Sequence, residues 1–184
     1  MIIDQRLLAQ AQRRLAPFLR CLICLSLIST LAISAGLTEF SSALMNSVAR
    51  RWGQAATTRL LSWKEFIQEE QAQNKWQPPK TEAKTALKNT NRFFNRFPYK
   101  TDQAHWGVED YWATPVEFLG SNAGDCEDFA AAKYFSLRDL GAPVGQLRMV
   151  YVRALKINEA HMVLAWICYL TNHIYRFTVI LYDF

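Results

Sequence analysis

The chain has 184 residues, 51% hydrophobic and 13% aromatic, which suits one packed domain plus a short appendage and excludes a fibrous or disordered chain. Its formal charge of +5 does not imply nucleic acid, because the basic residues are scattered rather than gathered on one face with interleaved aromatics. Of the cysteines, Cys21 and Cys24 fall in an apolar leader with no second ligand pair for zinc, since His105, His161 and His173 are dispersed. Cys126 and Cys168 are the one pair left for a disulfide, and such a bridge would disable Cys126 as a nucleophile.

Residues 1–20 carry Arg6, Arg13, Arg14 and Arg20, and Cys21 to Leu37 then runs without a charge. Basic followed by apolar is an export pattern, with Ala32, Ser34, Ala35 and Gly36 as a loose cleavage site. Residues 1–37 are therefore expected to be a signal peptide or an N-terminal membrane anchor, and residues 50–184 a folded domain outside the cytoplasm. Arg51 to Gln73 spaces Leu60, Trp63, Phe66 and Ile67 as an amphipathic helix. Pro78-Pro79 interrupts, and a second helical stripe runs from Lys80 through Ala83, Leu87, Thr90, Phe94 and Phe97 to Pro98. Asp102 to Glu117 reads as an ordered loop entering a short helix capped by Thr114, with Pro115 at its first position.

The next helix, Cys126 to Leu140, has Asp125 at its start and Gly141 and Pro143 at its end. Leu147 to Val152 and His161 to Tyr169 read as paired antiparallel strands, with His161, Val163 and Ala165 on one face and Met162, Leu164 and Trp166 on the other. Helices first and strands last predict an α+β fold.

The chemistry gathers at Gly124-Asp125-Cys126-Glu127-Asp128-Phe129. A helix start favours a thiolate, whereas three carboxylates around the sulfur oppose it. An imidazolium partner or a hard divalent cation would relieve the conflict, and His161, a polar residue on an apolar strand, is the candidate imidazole. The plainer reading has the carboxylates complementing the helix dipole and His161 as a satisfied core residue.

The run His105-Trp106-Gly107-Val108-Glu109-Asp110-Tyr111-Trp112-Ala113-Thr114-Pro115, then Gly124 to Ala130, Lys133-Tyr134-Phe135 and Ala160-His161-Met162-Val163-Leu164-Ala165, resembles the bacterial transglutaminase-like cysteine proteinases of the LapG type. The resemblance covers roughly residues 85–166. It implies a papain-like, transglutaminase-like fold of N-terminal helices on an antiparallel sheet. It also implies a calcium-dependent periplasmic cysteine endopeptidase that cuts the N-terminal region of a large surface adhesin at an Ala-Ala site, controlling biofilm release. An inner-membrane cyclic-di-GMP receptor is the implied regulator. Residue by residue, Cys126 becomes nucleophile, His161 general base, and Asp125 and Glu127 calcium ligands.

After Ala165 the family's aspartate-bearing segment is not matched, so the chain is expected to be truncated or divergent there, with an incomplete sheet. Asp183 is the candidate third triad member, ahead of Asn172. The oxyanion would be met by the Cys126 amide and by a side chain from Trp106 to Trp112. The alternative is a catalytically impaired pseudo-protease that still binds the receptor; acyl transfer to an amine is a third reading.

Overall fold

Ser41 opens the first helix, its Oγ accepting from the Leu44 amide across 3.2 Å. The computed structural model describes residues 40–73, 81–155, 158–170 and 174–180. All of them belong to the unit Gly36–Phe184. The expected leader, residues 1–37, lies outside the described residues, as do Asn172 and Asp183.

The single helix expected from Arg51 is two helices, α1 (Ser42–Trp52) and α2 (Gln54–Gln73). Gly53 separates them because its φ of 81° lies where a helix cannot continue and only glycine sits easily. The predicted stripe on α2 is buried at Leu60, Trp63 and Ile67, while half-buried Phe66 stacks on Phe93 with ring centroids 4.6 Å apart. Helix α3 (Thr81–Phe94) buries Ala83, Leu87, Thr90 and Phe94. It stops earlier than expected, and Phe97 is carried into the core by a turn in which its amide donates to the Phe94 carbonyl at 3.0 Å.

The stretch read as loop contains one helical turn, α4 (Asp102–His105), capped by Thr101. Helix α5 (Pro115–Ser121) starts as predicted, with Thr114 and Glu117 exchanging the two hydrogen bonds of a capping box. Helix α6 (Cys126–Asp139) then crosses the core. Trp63 Nε1 donates to Ser136 Oγ at 2.7 Å in the interior, tying α2 to α6. Each large side chain buried in this interface is worth roughly 1.5–3 kcal/mol, so the N-terminal helices hold α6 in place.

A short 3₁₀ turn (Val144–Gln146) leads into β1 (Leu147–Ala154), β2 (Glu159–Leu170) and β3 (Ile174–Ile180). The sheet is antiparallel in the order β1-β2-β3. Leu147 stands opposite Trp166 and Val152 opposite His161, while the β2–β3 ladder runs from Leu164 opposite Ile180 to Leu170 opposite Ile174. The residues after Ala165, where the sequence resemblance ends, thus continue β2 and supply a third strand. Leu164 and Trp166 join the main core cluster with Phe118, Phe129 and Leu137, which places β2 against α6.

Candidate active site

The approach to Cys126 is built from Tyr99 and Gly124. They form a parallel bridge, and the Lys100 amide donates to the Gly124 carbonyl at 2.9 Å. A Cβ at position 124 would lie 2.6 Å from both Asp128 Oδ2 and a Phe118 ring carbon. Only glycine lets this segment pass so close to the start of α6. Asp125 is the N-cap, with its own amide donating to Asp128 Oδ2 at 3.3 Å.

Cys126 is the first residue of α6, half-buried and free, so the disulfide alternative for it does not hold. Its Sγ–H donates to Glu127 Oε2 at 3.0 Å, and the Met162 backbone N–H faces the sulfur from β2. Burial, the bond to Glu127 and the charges of Glu127 and Asp125 push the thiol up to about 12, with the Met162 amide pulling the other way. Among protein groups alone the carboxylates and burial outweigh the helix start, and the proton stays on sulfur.

His161 is buried on β2 immediately before Met162. Burial holds its imidazole below the ordinary range; Glu127 opposes this and Lys133 adds to it. The ring is therefore neutral and basic at neutral pH. Lys133 is itself buried on α6, with Nζ donating to Asn91 Oδ1 at 2.7 Å and Asn95 Oδ1 at 2.8 Å on and just after α3. Glu127 acts on both Cys126 and His161, which puts thiol and imidazole in one electrostatic neighbourhood.

Asp125 and Glu127 belong to a larger acidic group. Ligand atoms lie within 4.8 Å of one another in three sets, namely Asp125–Cys126–Glu127, Asp102–Asp110–Glu127 and Asp102–Asp125–Asp128. Asp128 is engaged twice, Oδ1 accepting from the Ala113 amide at 2.7 Å and Oδ2 from the Asp125 amide. Asp102 Oδ2 accepts from the Tyr111 amide. By contrast, Asp102 Oδ1 and Asp125 Oδ1 are buried without a hydrogen-bond partner. Crowding shows in the acidities. Burial, then Glu127, pushes Asp125 up to about 8; burial pushes Asp128 up to about 7, against hydrogen bonds from Ala113 and Asp125, and also raises Asp102.

Two orphaned buried carboxylate oxygens among the four aspartates and Glu127 of these sets fit a hard divalent cation such as calcium. Of this group the sequence singles out only Asp125 and Glu127. Asp110 falls in the matched acidic-aromatic run, whereas Asp102 sits on a one-turn helix in the stretch that reads as loop.

A free cysteine at a helix start, packed against a strand that carries a buried histidine, defines the α+β, papain-like cysteine proteinase class. Residues 54–169 match the family described as bacterial transglutaminase-like cysteine proteinase BTLCP. The chain belongs to that family. It is similar to solved structures of Legionella pneumophila LapG in calcium-bound form and in a form with no stated ligand, at 37% identity and a TM-score of 0.54, covering 69% of this chain and 66% of that one. An EGTA-treated LapG matches at the same identity and TM-score, with 64% of its length covered. The chain thus spans slightly less than two thirds of these relatives. None of the curated proteins matches it. Among the described residues no helix is long and apolar enough to cross a membrane.

Proposed function

We propose that this chain is a calcium-dependent cysteine endopeptidase of the periplasm that cuts the N-terminal region of a large surface adhesin at an Ala-Ala site and so controls biofilm release. An inner-membrane cyclic-di-GMP receptor is the proposed regulator. The observation that carries the reading is the Cys126 sulfur at the first position of α6, against the Met162 amide and beside an oxygen-rich acidic cluster. Family membership and the calcium-bound LapG relative support it.

Asp125, Glu127 and Asp102 are the residues that would hold calcium. Bound there, the ion supplies positive charge to the carboxylates that otherwise keep the proton on Cys126. The remaining steps belong to the chain. His161 takes the Cys126 proton, and the sulfur attacks the scissile carbonyl carbon while the C=O π pair moves to oxygen. The Cys126 amide, at a helix start with no intrahelical acceptor, faces that oxyanion. Collapse breaks the C–N bond, and the amine leaves with the proton held by His161. Water, losing a proton to His161, then opens the thioester and restores the thiol.

Asp183, which lies outside the described residues, is the residue proposed to orient His161.

The test is cleavage of an adhesin segment containing the Ala-Ala site by the purified chain, with calcium and with EGTA. Cleavage with calcium alone, lost in Cys126→Ala, is expected. Equal product from wild type and Cys126→Ala sinks the reading. The impaired pseudo-protease is favoured by one observation, the tight hold of the thiol on its proton, and receptor binding without turnover would select it.

A further inference from the structure

Arg96, an exposed residue just beyond α3, lines two cavities. Its guanidinium lies over the Phe93 ring at 4.0 Å and reaches the Phe97 ring at 5.7 Å, and among the described residues it makes no hydrogen bond or ion pair. The ring contacts fix the plane of the group while its N–H edge stays open to an acceptor.

The two cavities differ in charge. One, of ≈ 390 Å³, is lined in part by Phe66, Phe93 and the Glu70 carboxylate, which disfavours an anion there. The other, of ≈ 360 Å³, is lined among the described residues by Thr58, Arg59, Ser62, Arg96, Phe97 and Asn122, with no acid among them. Arg59 reaches it from α2, its Nε and Nη2 donating to the Leu119 and Gly120 carbonyls, each at 2.6 Å. Those bonds offset the negative end of α5 beside the cavity, and Nη1 is left for another acceptor. Burial lowers Arg59 from its ordinary value, as it does for a cation short of water, and such a group gains from a counter-charge. Asn122 is fixed as the C-cap of α5, its backbone N–H donating to the Phe118 carbonyl at 3.0 Å. Two guanidinium groups, the Ser62 hydroxyl and a carboxamide, with no carboxylate, are a donor set suited to an oxyanion.

We propose that this second cavity is an anion site, in which a phosphate or carboxylate group is held between Arg59 and Arg96 and hydrogen-bonded by Ser62 and Asn122. The site uses neither Cys126 nor the acidic cluster, so it stands apart from the peptidase reading.

The experiment is titration calorimetry of the full chain in calcium-free buffer at constant ionic strength, with inorganic phosphate in one arm and succinate in the other. Wild type is expected to bind at least one probe saturably, and the tighter probe assigns the ligand group as phosphate or carboxylate. Arg96→Gln is expected to weaken that binding about 10-fold or more. Arg92→Gln removes the same charge from a residue that lines only the cavity with Glu70, and should leave binding unchanged. Failure of wild type to bind either probe overturns the proposal, as does binding that survives Arg96→Gln. An equal loss in both variants also overturns it, because the anion would then be answering the charge of the whole surface rather than this cavity.

Discussion

The Cys126 thiol gives its hydrogen to Glu127 Oε2, its neighbour along the chain, across 3.0 Å. The acid beside Cys126 thus holds the thiol in its protonated form. Burial is the larger reason the thiol is pushed up to about 12, with Glu127 second. Replacing Glu127 by Gln should therefore lower the thiol pKa only part of the way, by on the order of one unit in chelator. The pH dependence of iodoacetamide alkylation measures it, and an unchanged midpoint would contradict the Glu127 contribution. The same variant should respond less to calcium than wild type.

Asp102 reaches the acidic cluster from α4, and one of its oxygens is buried with no partner. Asp102→Asn should weaken calcium binding, measured by titration calorimetry, by at least as much as loss of an outer-shell partner would, roughly 10- to 100-fold. Asp110, which is exposed, should matter less. Equal affinity for wild type and Asp102→Asn would remove Asp102 from the ligand set.

The raised acidities give stability a definite slope with pH. Folded Asp128 and Asp125 titrate near about 7 and about 8, whereas unfolded carboxylates titrate near ~3.9. Between about pH 6.5 and 8.5 the folded chain therefore binds more protons than the unfolded one, so stability falls as pH rises. His161 and His105 are both shifted down and act in the opposite sense, but only below about pH 6.5. In EGTA the Tm should drop across this window, and calcium should flatten the drop by competing with the protons. A Tm that climbs from pH 6.5 to 8.5 in EGTA would contradict the raised values.

Ser136 on α6 receives the Trp63 indole N–H in the interior and in turn donates to the Ala132 carbonyl at 2.8 Å. Ser136→Ala leaves that indole donor buried and unsatisfied, at about 1–3 kcal/mol. Urea unfolding checks it. Because Ser136 lies at the far end of α6 from Cys126, alkylation of Cys126 in the folded variant should proceed at the wild-type rate.

Much of this was legible in the chain because local chemistry and tertiary structure agreed. Thr114 as N-cap, Pro115 at the first position, and Asp125 before Cys126 are cap signals that the fold keeps. Leu60, Trp63 and Ile67 announced a buried face by spacing alone. The misses have physical causes. Gly53 lies within the stretch read as one helix, and its positive φ makes it a break that the apolar spacing does not show. Asp102 joins the cluster through the packing of a one-turn helix, which no periodicity reveals. The third strand, Ile174–Ile180, follows a matched region whose family pattern had been expected to continue differently. Tyr99 bridges Gly124 across a sequence gap, a long-range pairing without a local signature.

Asp128 bears on how freely this site could change over generations. One oxygen holds the Ala113 amide, the other the Asp125 amide, and the same group adds to the charge around Asp125. An asparagine offers a single carbonyl oxygen and turns the second acceptor into a donor facing an N–H. A glutamate is a methylene longer, in a place where even the glycine across from it has no room for a Cβ. No single replacement keeps all three tasks, and because the Ala113 and Asp125 contacts are made through backbone N–H groups, no side-chain change at those two positions would restore what a substitution of Asp128 loses.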